Sequence, residues 1–228
     1  MIELDNLKFQ HSISGDIKER IRAYFNGRRN GEGLLALCGA ASALALKDYN
    51  LYSLLAEISF VLKFPARSIY EGILQCYLFL GFPRAIEGLR HLKDIFRAYD
   101  ILLDLPYKDY RTDYEADGFA LCKVIYADKY PKLMEKMNSF SPELATWMIR
   151  EGYGKVLSRP GLETKHRELI TVSALISEDV PNQLSAHIKG AYNTGATEEE
   201  FEDILSLLSV WLSPNHTELF QQMLAKLT

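Results

Sequence analysis

The sequence predicts an all-α fold made of two tandem helical repeats, and three observations predict it. Apolar residues recur at i, i+3, i+4 and i+7 through most of the 228 residues, while segments alternating with period two are few. Capping and stop signals divide these stretches at helix-length intervals. The third is an internal repeat: "LLAEISFVLKFPARSIYEGILQCYLFLGFP" from Leu54 can be laid on "LSAHIKGAYNTGATEEEFEDILSLLSVWLSP" from Leu184, in the shared order of helix, turn, helix, Pro-marked break and helix.

In chain order, Ser14 caps "DIKERIRAYF" and Asn26-Gly27 stops it. The first copy runs to the break at Gly81 to Pro83. The stretch from Leu102 to Gly118, rich in Tyr, Asp and Pro without an apolar face, reads as a linker, and "FALCKVIYADKYPKLMEKM" supplies two short helices after it. Ser141-Pro142-Glu143 opens "LATWMIREGYGKVL", Pro160-Gly161 makes a turn, and Glu163 to Ile176 with Asn182 to Tyr192 form an antiparallel hairpin. Asn193 to Gly195 stops the second arm, Thr197 and Glu200 form a capping box, and Ser213-Pro214 opens the last helix. This places a first, degenerate repeat in 1–104, a linker and connecting helices in 105–140, and a second repeat in 141–228. In that alignment Glu57 falls on His187 at an offset of 130, and Pro83 on Pro214 at 131.

Hydrophobic content of 48% and charged content of 25% are those of an ordinary globular chain, and a net charge of -4 gives no electrostatic reason for nucleic acid or an acidic membrane surface as partner. The N-terminus lacks a secretory signal, and the longest uncharged run, Gly33 to Leu46, is too short to cross a bilayer, so a cytoplasmic location is expected. Cys38, Cys76 and Cys122 stand far apart in apolar surroundings, which suits buried reduced thiols. No metal-ligand cluster, phosphate cradle or Ser-His-Asp constellation is visible, and no cofactor is expected.

The candidate chemistry centres on His187. Glu168 lies ten residues before Glu178 and His187 nine after it, so with a rise of ~1.5 Å per residue the two side chains sit at similar height across the hairpin. A carboxylate there fixes the imidazole tautomer and prepares a general acid or base in a solvent-reachable pocket. The alternative is a packed histidine, with Glu168 an exposed charge at a helix start. Glu57, set in "LLAEISFVL", is either a proton-transfer group in the first-copy place of His187, its pKa raised by burial, or a helix charge that escapes to solvent or pairs with Arg67. Arg159 offers a clamp for a substrate carboxylate, with Trp147 and Tyr153 lining the same pocket, although Trp147 reads more readily as core.

At "EGYGKVLSRPGLETKHRELITVSALI" followed by "QLSAHIKGAYNTGATEEEFEDIL" the sequence resembles the carboxymuconolactone decarboxylase family, which shares its fold with the AhpD alkyl-hydroperoxidase proteins. The likeness covers about Trp147 to Leu212 and is weaker in the first copy. In AhpD-like enzymes a glutamate, a Cys-x-x-Cys and a histidine four residues later relay protons to a reactive thiol. Carried across, the glutamate falls on Glu168 and the histidine on His187, while the cysteine positions fall on Val180 and Gln183. Without a sulfur at either, thiol peroxidase chemistry is not expected at this site.

The resemblance implies a cofactor-independent lyase acting on a small carboxylated, lactone-type substrate, with His187 as acid, Glu168 as its orienter, and Arg159, Tyr153, Gln183 and Glu57 facing substrate. It also implies a homo-oligomer, most simply a trimer, since a fused pair replaces two subunits of single-copy hexamers. A non-catalytic oligomeric binding protein is the alternative, and a peroxidase of unfamiliar arrangement stands behind both.

Overall fold

A computed structural model describes residues 7–9, 11–26, 32–103 and 111–226. They fold as helices: α1 (Gly15–Asn26), α2 (Glu32–Ala45), α3 (Tyr49–Val61), α4 (Ala66–Gln75), α5 (Tyr77–Ala98), α6 (Tyr114–Tyr126), α7 (Tyr130–Phe140), α8 (Pro142–Trp147), a π-helical stretch (Met148–Leu157), α9 (Thr164–Glu178), α10 (Pro181–Asn193), α11 (Glu198–Leu208) and α12 (Pro214–Leu224). No strand occurs among the described residues, as the periodicity predicts. None of these helices is long and apolar enough to cross a membrane.

Hydrophobic on every side, α2 occupies the centre and is buried continuously from Leu35 to Ala45. Against it lies α9, buried from Arg167 to Ser177, and the two are joined in the core by Ser42 Oγ and Ser177 Oγ at 2.6 Å. Each central helix turns back into its partner, α2 into α3 and α9 into α10. A second, smaller apolar cluster of Cys122, Ile125, Ile149, Tyr153 and Leu157 joins α6 to the π-helical stretch. Glycine makes that crossing close: a Cβ on Gly154 would stand 1.8 Å from Tyr114 O, and one on Gly118 2.0 Å from Ile149 O.

The caps follow the sequence signals. Ser141 Oγ accepts from Leu144 N, Thr197 and Glu200 complete a capping box, and Gly195 ends its turn at φ 96°. The break at Gly81 (φ 79°) is a kink within α5 and not its end, because Pro83 lies where the resumed segment needs no N–H donor. The linker is shorter than expected, since Asp113 accepts from Ala116 N and starts α6 at Tyr114; residues 104–110 and Gly27 lie outside the described residues. Trp147 is 59% exposed, so the core reading fails: it is Ala145 of α8 that faces inward.

The two hairpins recur at one spacing. Thr164 stands 132 residues after Glu32, as Pro181 does after Tyr49 and Glu198 after Ala66. The left-handed residues that close the turns keep it: Lys47 (φ 62°) corresponds to Asp179 (φ 54°), and Lys63 (φ 67°) to Gly195. This spacing differs from the offsets read from side chains, by two residues at Glu57 and by one at Pro83. It sets Glu57 opposite Lys189 and leaves His187 with Leu55 as its counterpart.

Candidate active site

Glu168 comes from the buried face of α9 and His187 from the face of α10 turned toward it. His187 Nδ1 and Glu168 Oε2 are 2.8 Å apart, the hydrogen bond the hairpin spacing anticipates. Phe79 of α5 meets the imidazole edge to face at 5.1 Å and fixes its plane. On the other side Gly190 leaves room for the carboxylate. Neither side chain is open: His187 is 4% exposed and Glu168 1%. The solvent-reachable pocket expected around the pair is therefore not what the structure shows: both side chains are buried, with Phe79 packed against the imidazole.

Glu168 also faces the smaller apolar cluster. Tyr153 donates to Tyr126 at 2.9 Å, and burial, with the Glu168 charge adding to it, holds both phenols well above their ordinary pKa. Tyr153 is thus buried behind the carboxylate and does not line a pocket with Trp147. Burial first and Glu168 second push the Cys122 thiol up to about 12.

The other expected site residues lie elsewhere. Gln183 is exposed on the first turn of α10. Arg159 does not wait for a substrate: its Nε and Nη2 reach Glu71 Oε2 and Oε1 at 3.0 and 3.2 Å, so the carboxylate it clamps belongs to α4. Arg67 pairs with the same Glu71, which rules out Glu57 as its partner, and the buried Arg167 reaches Glu71 at 3.4 Å and Gln75 Oε1 at 3.0 Å. Burial lowers the Arg167 pKa to about 10 against the opposing pull of Glu71.

Glu57 is buried, yet its pKa is lowered. Desolvation pushes it up, but hydrogen bonds from His11, Tyr99 and Phe9 N outweigh that. Oε2 meets His11 Nε2 at 2.6 Å, and Oε1 accepts from Tyr99 Oη at 2.6 Å and from the N–H groups of Lys8 and Phe9 at 2.8 and 3.1 Å. Glu57 is an anchor for the segment before α1, with no opening to substrate. His11, Glu71 and Arg167 were missed by pattern reasoning; for Glu71 the available signal was the one that singled out Glu57, a lone carboxylate inside an apolar helical run.

Residues 142–215 match the carboxymuconolactone decarboxylase family. The chain is 32% identical over 136 residues to Peroxisomal protein 2 of Schizosaccharomyces pombe, a match covering 57% of this chain and 62% of the relative. It is 28% identical over 78 residues to 4-carboxymuconolactone decarboxylase of Acinetobacter baylyi, covering 34% and 58%. To nitrosuccinic acid decarboxylase npaB of Metarhizium robertsii it is 36% identical over 59 residues, covering 26% and 41%. In each case the chain spans less than two thirds of the relative's length. The matched segment contains the π-helical stretch and the whole Glu168–His187 hairpin, and over that segment the chain is similar to the carboxymuconolactone decarboxylase family.

Proposed function

We propose that the chain is a decarboxylase-like lyase that uses the Glu168–His187 pair on a small carboxylated substrate without a cofactor. The observation that carries this reading is the 2.8 Å contact between His187 Nδ1 and Glu168 Oε2, buried and backed by Phe79. As the C–C bond to the carboxylate breaks, CO2 leaves and its electron pair remains on a delocalised carbanion. Imidazolium Nε2–H then delivers the proton to carbon, while Nδ1–H stays on Glu168, which stabilises the cation and fixes the tautomer. Water restores the proton to the imidazole.

Two relatives named as decarboxylases support the reaction class. The substrate carboxylate needs a donor other than Arg159, whose fork is held on Glu71. The decisive assay follows CO2 release from 4-carboxymuconolactone and from nitrosuccinate with the wild type and His187→Gln. Turnover by the wild type that the substitution abolishes supports the reading, and equal rates would end it.

A second reading is favoured by the burial of both residues: a helical binding protein that retains the pair as structure. In either reading the constant 132-residue spacing supports descent from two fused units, and we propose a homotrimer in solution, testable by light scattering. Buried thiols fit the reducing cytoplasm, while the name of one relative puts the peroxisome beside it; imaging of a tagged chain separates the two.

A further inference from the structure

Outside the relay, a groove of about 280 Å³ runs between α10 and the end of α6 with α7. Its charge is one-sided. Lys129, Lys132, Lys136 and Lys189 line it, and no carboxylate does, on a chain whose net charge is -4. Among the described residues, Lys129 alone of these four has an ion-pair partner, Asp128, at 2.6 Å. Lys132 and Lys136 are one turn apart on α7, a spacing at which like charges repel, and Lys189 faces them from α10. Asn182 and Ser185, on the first two turns of α10, add neutral donors at the positive end of that helix's dipole. Asn193 Nδ2 donates to Ile125 O at 2.7 Å and pins the two walls together. Between the lysines the floor is apolar, from Ile125, Leu133 and Ala186.

We propose that this groove binds a small organic oxyanion, a polycarboxylate or a phosphate ester, whose charged groups meet the lysines from both walls and whose body lies on the apolar floor. Such a ligand relieves the repulsion across the groove, and the concave shape suits a small molecule better than a flat lipid surface. Neither His187 nor Glu168 lines the groove, so this site is independent of the proposed reaction.

Calorimetric titration of the whole chain at low salt with citrate and, separately, with inorganic pyrophosphate tests it and distinguishes the two sources of charge. At least one should saturate with a Kd below about 1 mM, and Lys132→Gln/Lys136→Gln should weaken it about tenfold or more. Lys93→Gln/Lys226→Gln, which removes the same charge from exposed sites elsewhere, and His187→Gln should bind as the wild type does. The proposal is overturned by non-saturating heats with both anions, by an equal loss in the Lys93/Lys226 variant, or by loss in His187→Gln. Lysine-dependent co-sedimentation with phosphatidylserine vesicles in place of anion binding would also overturn it, in favour of a membrane surface.

Discussion

A Cβ placed on Gly190 would stand 2.9 Å from Glu168 Oε2, the same oxygen that meets His187. It would also stand 2.7 Å from Ile125 Cγ2, so the side chains of both Glu168 and Ile125 would have to shift. The glycine lets α10 approach the carboxylate, and the relay geometry depends on that approach.

Gly190→Ala should therefore cost more than the ~1 kcal/mol that alanine gains over glycine inside a helix. Overpacking of this kind costs about 1–3 kcal/mol and should move Glu168 off His187. Urea unfolding should give a lower midpoint, and imidazole nitrogen NMR should show the His187 tautomer no longer held in one form. An unchanged midpoint with an intact signature would show that the pair adapts.

The hairpin and its facing residues were legible because a helix hairpin converts sequence distance into height, and Glu168 and His187 lie within a few residues of the same distance from the turn. The enclosure of the pair was not legible, since Phe79, Tyr126 and Gly190 approach from helices whose packing no local period encodes. Arg159 shows the same limit. Its fork geometry for a carboxylate was readable, but that the carboxylate would be Glu71, 88 residues earlier, was not. The offsets read from side-chain identities, 130 and 131, differ from the 132 that separates the left-handed turn residues, because side-chain identities slide along a helix while those turn residues do not.

Glu57 gives a pH dependence of definite sign. Its folded pKa is depressed below the unfolded value of about 4.3, so its contribution is complete above that value and is lost as pH falls through the folded pKa. Glu200, depressed by Lys165 and Thr197 N against desolvation, acts in the same direction. Thermal unfolding should show stability falling below about pH 4.3, and Glu57→Gln should be less stable at pH 7 with a shallower acid limb. A variant whose acid limb matches the wild type would remove Glu57 from the account.

All three thiols should be silent in the native protein. Burial raises Cys38, Cys76 and Cys122 each to about 12, so the thiolate is scarce near neutrality. An aromatic disulfide reagent at pH 8 should titrate none of them within minutes and all three after denaturation, and peroxide should not be consumed. Rapid reaction of one native thiol would revive the peroxidase alternative.

Glu71 carries a large expected stability effect. Its side chain is fully buried and is shared by Arg67, Arg159 and the equally buried Arg167, so one negative charge organises three positive ones between α4, the turn before α9, and α9 itself. Glu71→Gln keeps the volume and some hydrogen bonding but removes the charge, and removing one partner of a buried pair costs about 3–5 kcal/mol. Replacing an arginine as well should relieve part of that cost, because fewer cations then lie near a neutral amide. The midpoint of urea unfolding should accordingly rank wild type above Glu71→Gln/Arg159→Met, and the double variant above the sum of the two single losses. Strict additivity would mean that Arg159 draws its stability from contacts other than Glu71, and would reopen it as a free carboxylate clamp.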